Sequence, residues 1–340
     1  MKIALVHRRF TTNGGTERYL VGFARFLVAQ GHEVHVLCHE VRPDLRSEPG
    51  VTFVHLPMLR PAKLLSLWVS AGRATRDYPV VMGFGRTPGH HLYRAGGGSH
   101  ADYLRRMFPV RRWLNPTDWL ETALDRRAAR SARIAMANSE LGARGLREDY
   151  GVTRVEVVYN GVDSGRFRPD ATARASIRTE LGAQGPVAVF LGNGYARKGL
   201  DVAIAALPAG WTLWVVGHDP PWPAPPSVRF LGGAREPERM LQGADVMVLP
   251  TRYDPFANAC LEAMACGLPV LTTSSNGAAE VLPEPWLVCD GVDATRIGFA
   301  RLADPATRVA VGAACRIVAE SLPRERNYAR TLALLLEASA

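Results

Sequence analysis

Short apolar runs separated by amphipathic stretches recur along the whole chain. Residues 2–7 are a compact apolar run, residues 15–30 place Leu20, Phe23 and Leu27 on one helical face, and residues 33–38 after Gly31 are apolar again. Brief apolar runs suit buried strands and a 3.6-residue repeat suits a covering helix, so this opening predicts a βαβ unit. More strands are predicted at 52–56, 80–83, 134–137 and 155–158, alternating with helices near 64–76, 119–132 and 140–150. The first half is therefore expected to be a mostly parallel sheet with helical layers.

Turn formers then cluster at 160–165, Asn-Gly-Val-Asp-Ser-Gly, with Pro169 a little beyond, which predicts an interdomain linker. The alternation restarts with strands at 187–191, 212–216, 228–231, 246–249 and 270–272 and helices at 200–207, 238–243 and 258–266. A Pro-rich span at 220–226 predicts a rigid surface loop, and 324–336 a closing helix. The expected fold class is α/β, two doubly wound domains in tandem. The boundaries fall at 1–160 and 171–322, with a linker at 161–170 and a closing segment at 323–340 that returns to the first domain. Their carboxyl-terminal strand edges would face a central cleft, where open α/β sheets bind ligands.

At 340 residues and 47% hydrophobic content the chain can bury a large core. Five cysteines, Cys38, Cys260, Cys266, Cys289 and Cys315, lie inside apolar runs without a Cys-x-x-Cys pair. Neither a disulfide framework nor a zinc site is expected, and a reducing cytoplasm fits. The first apolar run breaks too early for a signal peptide, and no run of eighteen apolar residues predicts a membrane span.

The net charge of +9 comes almost wholly from arginine, the lysines being Lys2, Lys63 and Lys198. Nucleic acid, phosphorylated substrate and anionic membrane are the partners such a balance allows. Residues 104–133 carry Arg105, Arg106, Arg111, Arg112, Arg126, Arg127, Arg130 and Arg133, interleaved with Trp113, Leu114, Trp119 and Leu120. That mixture suits a helix lying on an acidic bilayer, and equally a solvated helix with a core-facing stripe. Nucleic acid fits least, because the aromatics do not alternate with basic residues on a strand platform.

After the first strand comes Thr11-Thr12-Asn13-Gly14-Gly15-Thr16-Glu17-Arg18, a glycine turn opening a helix, whose free N–H groups and dipole favour an anion. The same glycines also serve an ordinary tight turn. Glu40 at the end of the second strand could mimic the ribose acid of a dinucleotide site, but the third glycine of that fingerprint is missing and a dehydrogenase is not expected. The second half repeats the arrangement in Gly192-Asn193-Gly194-Tyr195-Ala196-Arg197-Lys198-Gly199. A lysine beside an arginine, in a chain that avoids lysine, suggests two cations gripping phosphates.

Between Asp254 and Glu280 the one further charge is Glu262, surrounded by Cys260, Leu261, Ala263, Met264, Ala265 and Cys266. An acid in such a helix is expected to be buried and to need a partner, such as a ligand hydroxyl. Asp254 followed by Pro255 also reads as an N-cap and N1 pair, and Glu280 as a first-turn acid. His100 closes Gly96-Gly97-Gly98-Ser99-His100, a glycine run that lets backbone approach a ligand, although a lone histidine is often structural. No Asp-x-Asp occurs, and neither a metal site nor a cofactor is expected.

Taken together, Asn160-Gly161-Val162-Asp163, Arg197-Lys198-Gly199 and Asp254-x7-Glu262-Ala-Met-Ala-x-Gly-x-Pro-Val resemble the retaining glycosyltransferases of family 4. Gly14-Gly15-Thr16-Glu17-Arg18 is similar too, and Gly83-Phe84-x-x-x-Pro88-Gly89 is similar to the lipopolysaccharide-core α-glucosyltransferase branch. The resemblance spans nearly the whole chain. It implies the GT-B fold, two Rossmann-like domains with the sugar nucleotide held mainly by the second.

The resemblance also implies roles. Arg197 and Lys198 would bind the diphosphate, Glu262 the ribose hydroxyls, the backbone at Ala257 and Asn258 the phosphate or sugar, and the loop at Gly233–Ala234 the base. Gly14 and Gly15 would approach the donor, and His100 would orient donor or acceptor. Family members carry Glu where Asp254 stands, in contact with the donor sugar, so the carboxylate here is withdrawn by roughly 1.5 Å.

The implied reaction is metal-independent transfer of a hexose, glucose from UDP-glucose, to a saccharide or glycolipid acceptor with retention, in lipopolysaccharide or cell-surface glycan synthesis. The enzyme would be cytoplasmic, peripheral on the inner membrane face. The alternatives are a GT-B nucleotide-sugar epimerase or hydrolase, and a noncatalytic nucleotide-sugar-binding protein.

Overall fold

The structure is a computed structural model that describes every residue except 13 and 111–113. The predicted positions Asn13, Arg111, Arg112 and Trp113 therefore lie outside the described residues. The chain divides into two compact units, Met1–Tyr159 with Glu325–Ala340, and Asn160–Arg324.

In the first unit the chain runs β1 (Lys2–Val6), β2 (Arg9–Phe10), α1 (Gly15–Ala29), β3 (Glu33–Cys38), β4 (Glu40–Val41), β5 (Val51–His55) and α2 (Lys63–Ala74). It continues through β6 (Val80–Gly83), β7 (Leu92–Ala95), α3 (His100–Met107), α4 (Pro116–Ser131), β8 (Ile134–Ala137), α5 (Glu140–Tyr150) and β9 (Val155–Val157). Seven strands form one parallel sheet in the order β5-β3-β1-β6-β7-β8-β9. Successive side chains of a strand face opposite sides, and β1 shows the consequence. Ile3 and Leu5 pack with Leu20, Phe23 and Leu27 of α1, while Ala4 and Val6 pack with Leu67 and Ala71 of α2.

Four elements of this unit, β2, β4, β7 and α3, escape the apolar pattern. β7 is four residues long and includes Arg94, which is buried because its guanidinium lies 3.7 Å from the centre of the Tyr19 ring. α3 is mostly polar, and is started by Ser99, whose side chain accepts from the Asp102 N–H. α4 begins earlier than its apolar residues suggest, at Pro116, because the Asn115 side chain caps Thr117.

The second unit contains α6 (Ala171–Glu180), β10 (Val187–Leu191), α7 (Tyr195–Lys198), α8 (Leu200–Ala206), β11 (Thr212–Val216), β12 (Val228–Gly232) and α9 (Pro237–Gly243). It ends with β13 (Val246–Leu249), α10 (Asn258–Ala265), β14 (Val270–Thr272), α11 (Gly291–Arg301) and α12 (Pro305–Ser321). The last helix, α13 (Arg324–Ser339), belongs to the first unit from Glu325 onward. The second sheet is also parallel, in the order β12-β11-β10-β13-β14. Its central strand β10 is buried at all five positions, as a run of Val, Ala, Val, Phe and Leu between two helical layers requires.

Both sheets are doubly wound, and each reverses its strand order once, between β1 and β6 in the first and between β10 and β13 in the second. Among the described residues no helix is long and apolar enough to cross a membrane.

Candidate active site

At the reversal point of the second sheet, the loops after β10 and β13 start side by side, so residues far apart in sequence meet. The loop after β10 turns through Gly194 and folds into α7, whose first N–H groups are taken in-chain. Gly194 and Tyr195 both donate to Asp219 Oδ2 at 2.7 Å. Asp219 carried no motif signal beyond its place just past the predicted strand ending at Val216.

α7 ends at Gly199, which adopts φ +75 with its Cα against the Pro250 carbonyl oxygen, where a Cβ would overlap that oxygen. Only glycine meets both demands. The turn is braced from the β13 loop: Arg252 N–H and Thr251 Oγ1 donate to the Arg197 carbonyl at 2.8 and 3.0 Å. Arg252 also donates through its guanidinium to the Ala196 carbonyl and to Asp201, the latter at 2.6 Å.

This scaffold aims both predicted cations at Asp254. Lys198 Nζ donates to Asp254 Oδ2 at 2.5 Å and Arg197 Nη1 to the same oxygen at 3.0 Å. Arg197 Nη1 also reaches the Tyr253 carbonyl at 3.0 Å. The other oxygen, Oδ1, accepts from Phe256 N–H at 3.2 Å. The Asp254 peptide is held on both sides, by Ser275 O at 3.0 Å and Gly277 N–H at 2.9 Å. Burial pushes the Asp254 carboxyl up, but Lys198 and Arg197 together pull it below its ordinary value of 3.8. Two cations therefore share one carboxylate at the reversal point.

Asp254 is not the N-cap its Pro255 neighbour suggests. α10 starts at Asn258 with Ala257 as N-cap, and the Ala257 N–H donates to Asn276 Oδ1 at 3.1 Å. Asn276 also donates to Thr272 Oγ1 at 2.9 Å and so ties the helix start to β14.

Glu262 also differs from its expectation. α10 is not buried all round: Cys260, Leu261, Ala263, Met264 and Ala265 are buried, while Asn258, Ala259 and Glu262 form a half-exposed stripe. Asn258 and Glu262 are four residues apart and share that face. The small apolar Ala259 hid the amphipathic pattern. Ala234 follows β12 at the same edge of the sheet, where the His218 ring lies against Gly233.

In the first unit, Gly14 and Gly15 open α1 as predicted, with Gly14 as an extended N-cap. The Glu17 carboxylate covers the position a Gly14 Cβ would fill. His7 Nε2 and Arg9 Nη2 stand 3.9 and 3.7 Å from Glu17 Oε1. The His7 ring, followed by Arg9, holds this carboxyl below its ordinary value against the opposing effect of burial.

His100 is the first residue of α3 and is buried. Its N–H donates to Asp125 Oδ2 at 3.1 Å and to Tyr150 Oη at 3.0 Å. Tyr93 and Tyr150 donate to the same Asp125 carboxylate at 2.7 and 2.6 Å. Arg86 Nη2 lies 2.9 Å from His100 Nδ1, and Arg86 Nη1 donates to Glu121 Oε2 at 2.8 Å. Neither Arg86 nor Glu121 was singled out from the sequence, because three separate loops and helices bring them to the ring.

The motif at Gly83 has a packing reason. A Cβ at Gly83 would overlap the His90 imidazole, which stacks on Tyr93 at 5.9 Å and 3° and meets Thr87 Oγ1 at 2.9 Å. Burial, helped by His91, pushes the His90 imidazole down to about 3.

Residues 13–166 match the model of glycosyltransferase family 4, and residues 185–302 that of glycosyl transferases group 1. A probable transglycosylase of Burkholderia thailandensis is 30% identical over 365 residues, covering 100% of this chain and 97% of its own. The fold is similar to that of WaaG, a glycosyltransferase involved in lipopolysaccharide biosynthesis, with a TM-score of 0.83 and 19% identity over 98% of this chain and 99% of the other. It is also similar to Anabaena HepE in complex with UDP-glucose, with a TM-score of 0.77 and 16% identity over 99% and 100% of the two chains.

Proposed function

The chain belongs to the family 4 glycosyltransferases and has their GT-B fold, and from that premise we propose that it transfers glucose from UDP-glucose to a saccharide acceptor with retention at the anomeric carbon. The observation that carries this reading is the Lys198–Asp254–Arg197 cluster at the strand reversal of the second sheet. As the glycosidic bond stretches, negative charge grows on the diphosphate, and two held cations stabilise it without a metal. The sugar meanwhile gains oxocarbenium character, and the departing phosphate takes the acceptor proton on the same face.

In this reading Glu262, on the half-exposed face of α10, accepts from the ribose hydroxyls. The backbone at Ala257 and Asn258 meets phosphate or sugar, and the Ala234 loop meets the base. The first unit binds the acceptor, its arginines suiting a phosphorylated or lipid-linked glycan of the cell surface, with His100 orienting a reacting hydroxyl. Exposed Val110, Leu114 and Trp119 within the basic stretch 104–133 support attachment to the inner face of an anionic membrane.

The test is calorimetric titration with UDP-, GDP- and ADP-sugars, followed by transfer to saccharide acceptors with the anomeric configuration read by NMR. UDP-glucose binding and an α-linked product are expected. Turnover without acceptor would favour an epimerase or hydrolase, and binding without any turnover a nucleotide-sugar sensor.

A further inference from the structure

We propose that Arg86 is a positioning residue that holds His100 as the neutral Nε2–H tautomer, so that the ring acts as a hydrogen-bond donor and not as a base. This rests on the role given to His100 in the reaction above. The geometry leaves little freedom. The His100 backbone is fixed by Asp125 and Tyr150, and its ring stacks on Tyr103 at 5.8 Å and 28°. Arg86 Nη2 meets Nδ1 at 2.9 Å. A guanidinium has five N–H groups, no acceptor, and stays charged, so Nδ1 must offer its lone pair and the ring proton must sit on Nε2.

Glu121 completes the arrangement. Its Oε2 accepts from Arg86 Nη1 at 2.8 Å and lies 3.3 Å from His100 Nε2, but Nε2 has no in-line acceptor among the described residues. One guanidinium thus spans the ring and the carboxylate, and Glu121 is held by Arg86 rather than by the imidazole. Nε2 is itself buried without a hydrogen-bond partner among the described residues, so its N–H is the donor that this tautomer leaves unsatisfied.

The charged groups around the ring act in both directions. Burial and then Arg86, from the loop after β6, lower the proton affinity of His100. Glu121, Asp125 and Asp118, all on α4, raise it, and Tyr103 on its own helix and Tyr150 on α5 are further titratable neighbours among the described residues. The balance lies below the ordinary value of 6.5, which keeps the ring neutral at pH 7.

Histidine-labelled protein, with the His100 signal assigned by its loss in His100→Gln, reads the tautomer directly from ring nitrogen and carbon shifts. The wild type should show Nε2–H at neutral pH. An Nδ1–H or doubly protonated ring would overturn the inference with no need of any further variant. Arg86→Met should mix the tautomers, lower kcat about tenfold to a hundredfold with little change in donor KM, and move the acid limb of the kcat profile to higher pH. Arg86→Lys, which keeps a cationic donor, should restore most of the rate.

A folded Arg86→Met protein with the wild-type tautomer and pH profile would refute the positioning role. An unchanged kcat in His100→Ala would instead remove His100 from the reaction, while the tautomer measurement still decides what Arg86 does.

Discussion

Lys198 and Asp254 lie 56 residues apart in sequence, yet their charged atoms meet at 2.5 Å, and Arg197 joins them at 3.0 Å on the same oxygen. The lysine and the aspartate are both buried. A buried charge that loses its partner is costly, so this contact is a folding element of the second unit as well as part of the proposed donor site.

Lys198→Met should therefore destabilise the fold by about 3 kcal/mol and weaken donor binding by roughly 2–5 kcal/mol. In the double variant with Asp254→Asn, the stability loss should be smaller than the sum of the two single-variant losses, with a coupling of about 1–3 kcal/mol in urea titrations followed by tryptophan fluorescence. Strict additivity would mean that the contact contributes nothing to folding.

Glu262 behaves differently because its side of α10 is half-exposed. Glu262→Gln is expected to change stability by no more than about 0.5 kcal/mol while reducing nucleotide-sugar affinity. Titration of UDP into the variant checks this, and unchanged affinity would remove Glu262 from the ribose.

Gly199 shows what the loop demands. Gly199→Ala places a Cβ on the Pro250 carbonyl oxygen at a left-handed φ of +75. Strain and overlap together should cost about 3 kcal/mol, lowering both the melting temperature and donor affinity, since Lys198 precedes it directly. A variant as stable as the wild type would contradict the backbone geometry described.

His90 predicts an acid-sensitive first unit. Its ring titrates at about 3 when folded, against 6.5 for an unperturbed imidazole. Between these values the unfolded chain binds the extra proton, so stability is full above pH 6.5 and falls as the pH drops. The slope from this group approaches 1.4 kcal/mol per pH unit. His90→Phe keeps the stacked ring and should flatten the stability profile over that range. An equal slope in both proteins would count against it.

The basic stretch 104–133 predicts salt-sensitive binding to vesicles containing anionic lipid. Val110, Leu114 and Trp119 are 70%, 75% and 54% exposed. Serine at these three positions, or glutamine at Arg111 and Arg112, should each weaken flotation with vesicles. Absence of binding at low salt would leave this stretch an ordinary solvated surface.

Much of this was legible in the chain itself. Repeated apolar runs gave the strand and helix alternation of both units because burial between helical layers leaves a local pattern. β7 was missed because a buried arginine broke that pattern, and Arg94 is tolerated only through its place over Tyr19. Arg197 and Lys198 stood out because lysine is rare and the loop is rich in glycine. The glycine turns promised open N–H groups, but the sequence could not show that Asp219 takes those of the second turn and that the Glu17 carboxylate covers Gly14 in the first.

By itself the sequence determined the fold class, the family resemblance, and which loops carry cations and acids, since these depend on local periodicity and residue type. Only the tertiary structure decided that Asp254 faces Lys198 and Arg197 rather than capping a helix, that Glu262 is half-exposed, and that Arg86 and Glu121 frame His100. The physical reason is sheet order. The reversal between β10 and β13 joins loops with no local pattern in common, and it is there that charge, burial and hydrogen bonding assign each side chain its partner.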